Sequence, residues 1–486
     1  MRMNRIGLFL STLLLLFLLA CNTDEHVAPN AAKAKGYNVV LVVVDDLNDW
    51  VSPLGGHPQT QTPNFDRLAA QSLTFANAYC AAPTCNPSRV AMLTGVQPFN
   101  SGVYANPDDF RKSERLKNAL TLPQLFKEHG YKTMSTGKVF QTPEGERADP
   151  ISWSSIRTET GERMQSSANM TANKLANGMA YTNRFESLFD WEEQNVPINQ
   201  TSDFQNTAWV AEQIRTNEYA FFIACGIYKP HLPLYLPEGS FDDWPLDSLK
   251  EAPFLADDLD DLPSEVEGIV RSKNPRSDFN RLKNAQKQKE ATRAFLAAIA
   301  YADQCLGNIL DAIEENGDST ILIVVGDHGW HLGEKQHYRK FTLWERATHV
   351  PMFIRLPGAE NGGSRVEEFV SLLDIYPTMA NFCGLPVSAE NDGFDLNYLF
   401  ENPKSIKNRS VLTTLGPEMI ALRYKNWRYI KYPKGEELYN LLNDPNEWHN
   451  LANNPGYRAK MDSLQAFLPT SFQPSVSGKG HVVFEY

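Results

Sequence analysis

Asn38-Val39-Val40-Leu41-Val42-Val43-Val44 leads straight into Asp45-Asp46, and the reading of that stretch decides the fold. The run is apolar and mostly β-branched with no polar alternation, the pattern of a central parallel strand buried on both faces. Thr320 to Val325 repeats the pattern and ends in Asp327-His328, and Ala220 to Cys225 is a third short run ahead of Gly226-Ile227-Tyr228-Lys229-Pro230-His231. Helical patterns lie between them. Thr62 to Ala78 carries Phe65, Leu68, Ala69 and Ser72 at helical spacing. Leu122 to His129 closes at Gly130, where a left-handed cap is expected, and Tyr131 to Ser135 follows as a strand leading into Gly137-Lys138-Val139-Phe140. Glu290 to Glu315 lines one face with Phe295, Ile299, Ala302, Leu306, Ile309, Leu310 and Ile313, and Gly317-Asp318 ends it. Strands alternating with helices predict an α/β fold with a large, mixed, mostly parallel sheet flanked by helices. Ligands bind such sheets at the carboxyl ends of the strands. Asp45, Asp46, Asp327 and His328 all fall there.

The remaining sequence reads as insertions and an appendage. Residues 141–200 are polar, rich in Ser, Thr, Asn and Glu, and are expected to lie over the sheet edge and help shape a pocket. Residues 238–285 are acidic, Pro-containing loops. After about residue 400 the pattern changes: Met419 to Tyr424, Trp427 to Tyr432 and Glu437 to Leu442 read as short antiparallel strands, followed by a helix from Tyr457 to Leu468. A chain of 486 residues is long for one core. The expected division is a main α/β domain over 37–400 and a smaller α+β subdomain over 401–486.

The N-terminus is a targeting segment. Arg2 and Arg5 precede the apolar run Ile6 to Leu19, and Leu18-Leu19-Ala20-Cys21 reads as a lipobox. This resembles a bacterial lipoprotein signal over 1–21, cleaved before Cys21, whose sulfur takes the lipid; 22–36 is then a tether. The expected location is exported and anchored to the outer membrane, on its periplasmic or outer face, since the apolar run is short for a span. Losing Arg2 and Arg5 moves the formal charge from −12 to −14. That acidity gives no support to nucleic-acid binding, while a local basic pocket can still hold an anion. Beyond Cys21, the odd set Cys80, Cys85, Cys225, Cys305 and Cys383 leaves at least one thiol unpaired.

Cys85-Asn86-Pro87-Ser88-Arg89, followed by Val90-Ala91-Met92-Leu93-Thr94-Gly95, concentrates the chemistry. Pro87 fixes its own φ and biases Asn86 away from helix, which puts Cys85 just ahead of a buried helix. A polar atom at a helix N-terminus with a guanidinium four residues on suits an anion. The carboxylates at two strand ends would repel one another without a cation between them, and oxygen ligands of this kind suit a hard ion such as Ca²⁺ or Mg²⁺.

These residues fit the C-x-P-S-R-x-x-x-L-T-G signature, and from about residue 37 to 460 the chain resembles the type I, formylglycine-dependent sulfatases of the alkaline-phosphatase-like superfamily. The similarity is to the iduronate-2-sulfatase branch in Val42 to Leu47, Thr136-Gly137-Lys138-Val139-Phe140, Lys229-Pro230-His231, Gly326-Asp327-His328-Gly329-Trp330, Ala347 to Pro351, Leu373 to Thr378 and Glu437 to Leu441. The resemblance implies a sulfuric ester hydrolase acting on sulfated oligosaccharide or polysaccharide, from algal polymers such as ulvan or carrageenan to glycosaminoglycans. It implies that a maturase oxidises Cys85 to formylglycine (3-oxoalanine). One Ca²⁺ would be held by Asp45, Asp46, Asp327, His328 and position 85. Arg89 would orient the hydrated aldehyde, Lys138 and Lys340 would bind sulfate oxygens, and His231 would protonate the leaving alcohol.

Gln141 stands where that branch has His; it is expected among the substrate-binding residues, since Gln can donate a hydrogen bond to the diol or sulfate but takes no proton near neutral pH. Trp330 and His331 are expected to contact substrate, with His337 and His349 nearby. Two rival readings are a phosphodiesterase or phosphonate monoester hydrolase of the same superfamily, and a non-catalytic glycan-binding lipoprotein.

Overall fold

The computed structural model describes residues 36–316 and 319–478. The signal segment, Cys21, most of the tether and Gly317-Asp318 lie outside the described residues. Among the described residues there are sixteen strands, numbered in chain order. They are β1 Asn38–Val44, β2 Leu73–Tyr79, β3 Lys132–Thr136, β4 Ser155–Ile156, β5 Trp191–Gln194, β6 Phe221–Ile227, β7 Leu234–Pro237 and β8 Thr320–Gly326. Then come β9 His331–Leu332, β10 Tyr338–Arg339, β11 Met352–Arg355, β12 Ser364–Ser371, β13 Val411–Gly416, β14 Met419–Tyr424, β15 Trp427–Lys431 and β16 Glu436–Asn440.

The main sheet has eight strands in the order β12-β2-β11-β8-β1-β6-β3-β4. Only β11 runs against the others, through antiparallel pairing with β8 and β2. The mixed, mostly parallel sheet predicted from the apolar runs is therefore observed. Val39 to Val44 are fully buried because β1 sits at the centre, with layers of side chains on both faces. One layer holds Val40, Val42 and Val44 with the helix Gln288–Glu315; the other holds Val39, Leu41 and Val43 with the helix Leu122–Glu128. Val44 is level with Gly326 of β8 and Ile227 of β6, so the residues that follow these three strands emerge side by side.

One expected helix is shorter than its sequence pattern. Helix α1 spans Pro63–Gln71, and the remainder of the expected Thr62–Ala78 helix is β2, inserted between β12 and β11. The physical reason is burial on both sides: Leu73, Phe75, Ala76 and Ala78 are all enclosed, so no polar alternation marked the strand. Helix α2, Cys85–Thr94, follows β2 and is buried along its whole length.

Residues 141–200 form short elements, among them β4, which extends the sheet edge beside β3, and β5, which pairs with β7. The C-terminal part carries an antiparallel sheet in the order β13-β14-β15-β16. Its first strand, Val411–Gly416, was not evident from sequence. The final helix, Arg458–Gln465, falls within the expected range. Cys80, Cys85, Cys225, Cys305 and Cys383 are all buried and unpaired.

Candidate active site

Five strand ends converge on Cys85. β1 delivers Asp45 and Asp46, β8 delivers Asp327 and His328, β3 leads through Gly137 to Lys138, β6 leads to Tyr228 and His231, and β2 leads through the loop 80–84 to α2. Gly137 has φ +66°, and a Cβ there would stand 2.1 Å from the Gly226 carbonyl oxygen; a Cβ on Gly226 would strike the Lys138 backbone. Only glycine at both positions lets β3 turn close enough to β6 to return Lys138 to the centre.

Cys85 is 1% exposed. Its sulfur lies 3.0 Å from Lys340 Nζ and 3.3 Å from His328 Nε2. Lys340 Nζ also donates to Asp46 Oδ1 at 2.6 Å, and Lys138 Nζ donates to Asp45 Oδ2 at 2.6 Å. Arg89 is wholly buried and joins the two acidic strand ends, donating from Nε to Asp327 Oδ2 at 2.8 Å and from Nη2 to Asp45 Oδ1 at 2.9 Å. Its Nη1 donates to the Lys138 and Val139 carbonyls. Ser88 Oγ, inside the same motif, donates to the Asp327 carbonyl at 2.5 Å. Arg89 and Ser88 therefore lock α2 onto β8 and β1.

The electrostatics follow from burial set against these charges. Burial opposes ionisation of Asp45, but Lys138 and Arg89 outweigh it and hold its carboxyl well below the usual range. Asp46 keeps less compensation: burial lifts it to about 7 against the pull of Lys340, and the neighbouring Asp45 adds to the rise. Burial opposes the charge on Lys340 as well, yet Asp46 reverses the balance and keeps it protonated. Burial pushes His328 and His231 toward the neutral form.

A hard cation fits this donor set. Ligand atoms of Asp45, Asp46, Cys85 and His328 lie within 4.8 Å of one another. Asp46 Oδ2 is enclosed and has no hydrogen-bond partner. The His328 Nδ1 side faces the Gly329 carbonyl at 3.0 Å; a proton there leaves the Nε2 lone pair turned to the cluster. Three carboxylates balance Arg89, Lys138 and Lys340, so a divalent ion would make the site net positive, as an anionic ligand requires.

His231 forms the open side, about a fifth exposed, with Nε2 3.9 Å from Asp46 Oδ2 and Nδ1 2.7 Å from the Leu232 carbonyl oxygen. Tyr228 was missed by sequence reading. Its ring lies 4.8 Å from that of His231 and 5.9 Å from Lys138 Nζ, and only its place beside Lys229-Pro230-His231 hinted at it. Asp203 was also missed. It accepts from the Tyr228 and Lys229 amides at 2.8 and 3.0 Å, fixing the loop that carries His231 from a helix 25 residues earlier in sequence. No local pattern announces such a contact.

The family model for sulfatases, described as "Sulfatase", matches residues 37–385. The chain belongs to the sulfatase family. The chain is 34% identical over 469 residues to a sulfatase of Formosa agariphila, covering 93% of this chain and 90% of that protein. It is 28% identical over 414 residues to mouse iduronate 2-sulfatase, covering 76% and 72%. Among solved structures, a 2-O GAG sulfatase superposes with a TM-score of 0.69 at 21% identity, covering 89% of this chain and 91% of that one. This sulfatase is a sulfuric ester hydrolase.

Two expected substrate contacts are packed into the frame of the sulfatase. Trp330 is 2% exposed, with its ring stacked on Phe295 at 6.2 Å and 13° and Lys340 Nζ 5.7 Å from the ring centroid. His331 is fully enclosed, its Nε2 2.8 Å from Thr342 Oγ1. His337 Nε2 lies 2.9 Å from the Lys340 carbonyl oxygen, and His349 Nε2 lies 2.9 Å from the Ala76 carbonyl oxygen; both belong to the frame. Gln141 follows the carbonyls that hold Arg89, and its Oε1 is enclosed without a hydrogen-bond partner.

Proposed function

We propose that this sulfatase removes sulfate from a terminal sugar, a uronic acid above all, in oligosaccharides derived from an algal polysaccharide such as ulvan or carrageenan or from a glycosaminoglycan. The observation that carries the chemistry is the meeting of Cys85 with Lys340 and His328 at the end of a buried acidic pair of strands. The mouse relative named for iduronate 2-sulfate favours the uronic acid. Enclosure of Cys85 favours exo action, because a chain end enters a deep site more readily than an internal unit.

Formylglycine made from Cys85 by a maturase would supply a hydrated aldehyde, one hydroxyl for attack on sulfur and a second whose deprotonation lets the sulfate leave. Asp45, Asp46, Asp327 and His328, with position 85, would hold one Ca²⁺, which supplies positive charge to the reacting oxygens. Lys138 and Lys340 bind and orient the sulfate oxygens. Arg89 holds Asp45 and Asp327 in register and steadies position 85 from the same helix. His231, oriented by its Nδ1 contact with the Leu232 carbonyl, would take up a proton as the anionic sulfate group binds and offsets the burial that favours its neutral form, and would pass one through Nε2 to the departing sugar oxygen. We also propose export and lipid anchoring at Cys21, on the strength of the lipobox; Cys21→Ala is expected to leave the membrane fraction.

The experiment is inorganic sulfate release from defined sulfated oligosaccharides and their parent polymers, with matched phosphate esters, using protein whose position 85 is confirmed as the aldehyde by mass. Release from oligosaccharides and not polymers supports exo action. Faster turnover of the phosphate esters would replace this reading with the phosphohydrolase one.

A further inference from the structure

Lys340 reaches the site from a segment with an unusual backbone. Lys335, Gln336, Arg339 and Phe341 have φ values of 56°, 50°, 75° and 71°, a left-handed region that side-chain-bearing residues rarely occupy. Such conformations persist where the surroundings over-determine them. Here the surroundings are two buried ion pairs made by residues that precede Lys340, both with the acidic stretch 238–285. Lys335 Nζ donates to Asp258 Oδ1 at 2.7 Å and to the Glu447 carbonyl, with the Trp344 and Tyr439 rings at 5.3 and 5.0 Å. Arg339 Nε donates to Asp278 Oδ2 at 2.5 Å, and its guanidinium lies 3.6 Å from the Phe185 ring centroid. Asp278 is the first residue of the helix Asp278–Ala285.

The two neighbours face opposite ways. Arg339 points back to Asp278, while Lys340 points forward to Asp46 and Cys85. Backbone contacts complete the grip: the Phe341 amide donates to the Pro83 carbonyl at 3.1 Å, two residues ahead of Cys85, and His337 holds the Lys340 carbonyl. With Arg339 anchored, Lys340 has little freedom to leave the sulfur.

We propose that Asp278 and Arg339 are positioning residues for sulfate binding, acting through Lys340, Arg339 from the end of β10 and Asp278 from the start of the helix Asp278–Ala285. The proposal rests on the sulfate-binding reading of Lys340. Misplacement of a binding group by about 1 Å can cost about a hundredfold in rate, so the loss expected here is about 10- to 100-fold in kcat/KM.

The test measures kcat, KM and competitive inhibition by inorganic sulfate for wild type, Asp278→Asn, Asp278→Glu and Arg339→Lys, with thermal melting of each. Arg67→Ala, which breaks a surface ion pair with Asp311 and Glu314, is the control. Asp278→Asn should raise KM and the sulfate inhibition constant together, Asp278→Glu should recover part of both, and the control should match wild type. Arg339→Lys keeps the charge and removes the planar fork, so it gives the same readout where Asp278→Asn folds poorly. Folded variants with unchanged sulfate inhibition overturn the proposal. A wild type neither inhibited by sulfate nor releasing it overturns the underlying site reading instead.

Discussion

The Lys340 ammonium stands 3.0 Å from the Cys85 sulfur, although 255 residues separate them in sequence. This places a permanent cation beside the atom proposed to carry the chemistry, in a buried site whose open side is His231. An anion that forms or binds at position 85 is stabilised there without solvent reorganisation.

Replacing Cys85 by Ala should therefore abolish sulfate release while leaving the fold intact. The helix α2 is held by Ser88 and Arg89, neither of which depends on the sulfur. Circular dichroism and melting should match wild type, and activity should fall by about a thousandfold or more. Residual activity near wild type would remove position 85 from the reaction.

Lys138→Ala should weaken binding of the sulfate group. A hydrogen bond to a charged partner contributes about 1.5–3 kcal/mol, which corresponds to a fall in kcat/KM of about 10- to 150-fold. Asp45 loses its 2.6 Å partner in the same variant, so melting should fall too. Steady-state kinetics on a responsive oligosaccharide measures the first effect. An unchanged KM and kcat would place the sulfate elsewhere.

Chelation should inactivate the protein and lower its melting temperature, with Ca²⁺ restoring both. The physical reason is the unpartnered Asp46 Oδ2 beside Asp45. By linkage, ligand at 100 times its dissociation constant contributes about 2.7 kcal/mol of stability. A melting curve indifferent to chelator and to added Ca²⁺ would count against a cation at these ligands.

Stability should decline on acidification partly through His337. Burial lowers its pKa from 6.5 to about 4, against the opposing pull of the Lys340 carbonyl. The folded value lies below the unfolded one, so its contribution is complete above about pH 6.5 and is lost as pH falls toward 4. The amount between pH 7.5 and 4.5 is about 2–3 kcal/mol. Urea unfolding of wild type and His337→Gln across that range should show a shallower loss for the variant; parallel curves would refute the assignment.

Sequence by itself determined the parallel sheet, because Val39 to Val44 and Ile321 to Val325 are apolar on both faces and only a central strand hides both. It also determined which residues would stand at the strand ends, since Asp45, Asp46, Asp327 and His328 directly follow those runs. The Cys85 motif is local and was legible for the same reason. Tertiary structure alone decided the rest. Leu73–Tyr79 became a strand because neighbours bury it on both sides, while its sequence continues the pattern of α1. Trp330 and His331 turned into the core because Phe295 and Thr342 receive them there. Asp203 and the Asp278–Arg339 pair meet their partners across 25 and 61 residues. Contacts of that kind depend on how separate elements pack, and no periodicity within one element encodes them.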